Sequence, residues 1–64
     1  MADFYRDLVL ILRQHGCRLV RPGKGSHETW FSPVNGKHFT VPRTTKSRHT
    51  ANEVLKQAGL PKAF

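Results

Sequence analysis

The chain has 64 residues, room for one small domain around one core. Eleven Lys and Arg against four Asp and Glu give a net charge of +7 and a pI near 10.6, a balance that favours a polyanionic partner, either nucleic acid or an acidic protein surface. The longest apolar run, Leu8 to Leu12, has five residues, far below the roughly 20 needed to span a bilayer. The start of the chain carries Asp3 rather than a basic segment leading into an apolar one. No membrane span and no signal peptide are expected, and a soluble, cytoplasmic protein is. The single cysteine, Cys17, makes no disulfide within the chain and no structural metal site by itself.

The spacing predicts a helix over Asp3 to His15, with Phe4, Leu8, Ile11 and Leu12 at i, i+4, i+7 and i+8 forming one buried stripe. Asp3 is a candidate cap, and Gly16 supplies the left-handed stop. Cys17 to Arg21 reads as a short strand with Leu19 on one face and Arg18 and Val20 on the other. Pro22-Gly23-Lys24-Gly25 is a turn, and His27 to Ser32 a second strand. Alternation sends Trp30 and Phe31 to opposite faces, one into the core and one onto the open face. Pro33-Val34-Asn35-Gly36 is a hairpin connection.

Lys37 to Pro42 is a third strand, with Phe39 and Val41 facing one way and His38 and Thr40 the other. After a basic loop from Arg43 to His49, a second helix is expected to open at Thr50, capped by a box with Glu53. Its buried stripe is Ala51, Val54, Leu55 and Ala58, and Gly59 and Pro61 end it. The expected fold is α+β in the order α-β-β-β-α: a three-stranded antiparallel sheet with both helices on one face.

The stretch with the most chemistry is Lys24-Gly25-Ser26-His27. Histidine suits proton transfer near neutral pH. A lysine and the backbone N–H groups of a glycine-rich turn suit a phosphate. Read from the residues alone, His27 is a surface strand residue or a phosphate contact sooner than a catalyst. His15 is a helix-end residue, and His38 and His49 are candidates by type only. The histidines and Cys17 show no short ligand pairs, so no metal is expected. Gly23-Lys24-Gly25-Ser26 lacks the spacing and the strand–loop–helix setting of a nucleotide-binding loop.

His15-Gly16, Gly25-Ser26-His27, Val41-Pro42-Arg43, Thr50 and the closing Val54-Leu55-Lys56-Gln57-Ala58-Gly59-Leu60 stand in an order and spacing that resembles the HicA (YcfA-like) toxins of bacterial type II toxin–antitoxin pairs. The resemblance runs from Asp3 to Leu60. It implies a fold like the double-stranded-RNA-binding domain, a metal-independent endoribonuclease that cuts mRNA and arrests growth without a cofactor, and a HicB-type antitoxin as partner. The family's motif histidine falls on His27, which becomes the catalytic candidate. Many relatives carry a second histidine two residues after the proline of the third strand, where this chain has Thr44. Arg21, Lys24, Gly25, Ser26, Arg43 and Lys46 are the candidate contacts to RNA. The rival readings are a non-catalytic double-stranded-RNA-binding module and, more weakly, a protein-interaction domain.

Overall fold

The computed structural model describes residues 3–23 and 25–64. Two helices, α1 (Tyr5–Gln14) and α2 (Arg48–Gln57), flank three strands, β1 (Arg18–Pro22), β2 (His27–Ser32) and β3 (Lys37–Pro42). The strands form an antiparallel meander in the order β1-β2-β3, so β2 is central. This is the expected α-β-β-β-α order, and it is compatible with a likeness to double-stranded-RNA-binding domains.

The period-two pattern decides which face is covered. Glu28, Trp30 and Ser32 of β2 and Phe39 and Val41 of β3 turn inward and are buried. There they meet Leu8 and Leu12 of α1 and Ala51, Val54, Leu55 and Ala58 of α2. Both helices therefore cover one face of the sheet. Of the adjacent pair Trp30 and Phe31, Trp30 is the one in the core, and the Arg13 guanidinium lies 5.3 Å from its ring centroid. Phe31 is on the open face, its ring 5.1 Å from that of His38 and 5.5 Å from the Arg18 guanidinium.

Both helices end alike. In α1 the Gly16 N–H donates to Arg13 O and the Cys17 N–H to Leu12 O. In α2 Gly59 donates to Lys56 O and Leu60 to Leu55 O. Gly16 and Gly59 have φ of +82° and +79°, the left-handed turn that closes the helix and returns a buried residue to the core.

The first helix, expected over Asp3 to His15, is shorter at both ends, and two further local expectations are corrected. The cap of α2 is Ser47, whose Oγ accepts from the His49 N–H at 3.1 Å, and the helix starts at Arg48 rather than Thr50. Thr45 explains why. It is fully buried, its Oγ1 donates to Pro42 O at 2.6 Å, and its carbonyl accepts from the Phe4 N–H at 2.7 Å. The loop is pinned there, so the chain is free to turn helical two residues later. The first strand runs one residue later than expected, and the pairing shifts between Leu19 and Arg21, so its two-face alternation is interrupted. All five of its residues are exposed, and no burial fixes its register.

Candidate active site

The turn between β1 and β2 sets the position of His27. The Gly23 N–H donates to His27 O at 2.8 Å. A Cβ on Gly23 would lie 2.7 Å from that oxygen, so only glycine lets the chain close here. On the other side, His27 pairs with Pro42, and Ser26 O accepts from the Arg43 N–H. The backbone at His27 is thus tied to both neighbouring strands while its side chain is exposed on the open face.

The next residue does the opposite. Glu28 is buried, accepts from Tyr5 Oη at 2.7 Å and Trp30 Nε1 at 3.1 Å, and faces Arg43 Nε at 3.7 Å. It joins α1, β2 and the loop after β3 directly beneath His27. Desolvation, followed by the hydrogen bond to Glu28, raises the Tyr5 hydroxyl above the ordinary tyrosine pKa of 10.0. Glu28 and Tyr5 carry no motif. The one signal for Glu28 was its position two residues before Trp30, which puts it on the core face.

His27 lines a groove of about 450 Å³ between the outer side of β3 and α2. Thr40 and Pro42 join it on the strand side, and His49, Thr50, Glu53 and Gln57 form the helix wall. A second hollow of about 610 Å³, on the far side of α2, is lined by Arg48, Asn52, Lys56 and Lys62 and shares His49 and Glu53 with the first.

Among the described residues, the other sequence candidates do not gather in this groove. Arg21 is exposed on β1 opposite Thr29. Gly25 has a φ of +63° with open space around it, and Ser26 is exposed. Arg43 is exposed but turned toward Glu28, and Lys46 is exposed in the segment before α2. Neither Arg21, Arg43 nor Lys46 lines the groove of His27. Lys24 lies outside the described residues. Thr44 is exposed and also outside the groove. His38 packs on Phe31, and His15 Nδ1 is 2.9 Å from the carbonyl of Ile11. His49, a candidate only by type in the sequence, is the histidine that shares a groove with His27 among the described residues. Among those residues no three His, Cys, Asp or Glu side chains form a metal-holding group, and no helix is long and apolar enough to cross a membrane.

Order, charge and groove define a class first: a strongly basic α+β protein with two exposed histidines bordering one open groove between sheet and helix. The particular family follows from comparison. The model of the HicA toxin of bacterial toxin–antitoxin systems matches residues 5–60, and the chain belongs to that family. It is the toxin of such a pair, and its family implies a cognate antitoxin. No curated protein and no solved structure matches the chain.

Proposed function

We propose that this toxin is a metal-independent endoribonuclease that cuts mRNA, and that a HicB-type antitoxin neutralises it. The observation that carries the reading is His27: an exposed imidazole on a strand end tied to both neighbouring strands, opening onto a groove. Cleavage of this kind uses the adjacent 2′-hydroxyl as nucleophile. His27 takes its proton, the 2′-oxygen attacks phosphorus, and the bond to the 5′-oxygen breaks as that oxygen gains a proton from water or a second acid. The products are a 2′,3′-cyclic phosphate and a 5′-hydroxyl. One such base contributes about 10²–10⁴-fold, enough for a slow toxin.

The charge that builds on the phosphate is met by Lys24 and by the backbone N–H groups around Gly25 and Ser26. Arg21, Arg43 and Lys46 hold the flanking RNA backbone. An acidic antitoxin is drawn to the same surface by the net charge of +7.

The test is incubation of the purified protein with a long RNA in chelator, wild type beside His27→Ala. The wild type is expected to cut and the variant not, with the fold and antitoxin binding nearly intact in both. Equal cutting by the variant sinks the assignment of His27. RNA binding without cutting by the wild type replaces the nuclease with a binding module.

A further inference from the structure

Cleavage through the 2′-hydroxyl needs two proton transfers. One group removes the proton from the 2′-oxygen and a second supplies one to the departing 5′-oxygen. An in-line displacement puts those two oxygens on opposite sides of phosphorus, so the two groups have to approach from opposite sides. His27 is one of them under the reading above. Thr44 is a poor second, since a threonine hydroxyl is too weak an acid for the task and it lies outside the groove.

The remaining histidines separate by position. His38 pairs with Phe31, four residues along β2 from His27. At about 3.4 Å per residue along the strand and about 4.8 Å across to the next, this puts it roughly 14–15 Å from His27, too far to serve the same phosphate. Its ring also packs at a tilt of 59° against that of Phe31. His15 sits at the end of α1 with Nδ1 against the Ile11 carbonyl. His49 remains. The capping bond from its own N–H to Ser47 Oγ holds it in the first turn of α2. From there it lines the helix wall of the groove whose strand wall carries His27. Glu53, one turn further along and on the same helix face, borders the same space and offers an acceptor that can orient the imidazole.

We propose that His49 is the second proton-transfer residue, giving its proton to the 5′-oxygen as the P–O5′ bond breaks. The assignment rests on the ribonuclease reading. In the balanced step His27 gains the 2′-hydroxyl proton, His49 loses one to the leaving oxygen, and solvent restores both.

The full-length protein is tested in chelator on two RNA oligonucleotides spanning a site that the wild type cuts. One carries the natural 5′-oxygen at that site. The other carries a bridging 5′-sulfur, which leaves as a thiolate without needing a proton. His49→Ala and His49→Gln are expected to cut the oxygen substrate about 10²–10⁴-fold more slowly. On the sulfur substrate both should return close to the wild-type rate. His27→Ala should be slow on both substrates. Wild-type rates for the His49 variants on the oxygen substrate would overturn the proposal. So would equal slowing on both substrates, which would make His49 a residue that positions phosphate or supports the fold. The ribonuclease reading fails separately, if the wild type cuts no long RNA in chelator, so that no such site exists, or if His27→Ala cuts both substrates as fast as the wild type.

Discussion

Glu28 sits where three parts of the chain meet, and its replacement is the most informative single change outside the groove. A buried donor that loses its acceptor costs about 1–3 kcal/mol. Glu28→Ala strands the buried Trp30 Nε1 and removes the acceptor of the half-buried Tyr5 Oη. The urea midpoint of that variant should fall by the equivalent of at least one such loss, with an unchanged m value. The Arg43 contact contributes little of this, because at 3.7 Å with its side chain 59% exposed the pair is screened by water. Tyr5 makes a second prediction through pH. Its pKa is raised in the folded state, so the unfolded chain ionises first as pH climbs above 10.0. The stabilisation is complete below that value and is lost as pH rises through the folded pKa. Alkaline unfolding curves of the wild type and Tyr5→Phe should therefore converge at high pH, with the wild type the more stable below 10. A constant gap across the range would mean that the Tyr5 hydroxyl is not linked to folding.

At the scale of the element, α2 is where the site and the stability of the fold meet, since its first turn carries His49. Ser47→Ala removes the side chain that accepts from His49 N and should cost about 1 kcal/mol by urea unfolding. Thr50→Ala should cost far less, because Thr50 is already inside the helix and exposed. Equal losses would restore the capping box at Thr50. Serine and threonine are both capping types, so local sequence left the start of α2 open, and the buried Thr45 decided it through contacts with Pro42 and Phe4. β2 and β3 were legible to the residue because each buries one face: alternation around Trp30, Phe39 and Val41 allows a single register. β1 has no buried side to fix it and shifted by one residue. The candidate site divides in the same way. His27 follows a glycine turn and begins a strand, both local signals. His49 approaches it only because α2 packs along the edge of β3, a tertiary fact that no spacing encodes.

For the molecule as a whole, size and charge set its dependence on partners. A chain of 64 residues buries only about 60% of the surface its unfolded form exposes, and Leu10, Val20 and Val34 remain exposed on the outside. A bound antitoxin at 1,000 times its Kd would add about 4 kcal/mol, a large fraction of what so small a core supplies. RNA would be held by the surplus of Lys and Arg, and that attraction weakens with salt as counterions return. Each phosphate contact with a single strand contributes about 0.7 to the slope of log K against log salt. Arg21→Ala and Lys46→Ala remove exposed cations that line neither the core nor the groove of His27. The pair should therefore flatten the slope by about 1.4 if each meets one phosphate, and should weaken binding alike for all sequences. The rate of cutting at saturating RNA should stay at the wild-type value, because no group in the groove has changed. Fluorescence anisotropy across a salt series and single-turnover cleavage read the two quantities separately. An unchanged slope would remove both residues from the RNA path. A lowered saturated rate would mean that they act on the reacting phosphate rather than along the strand.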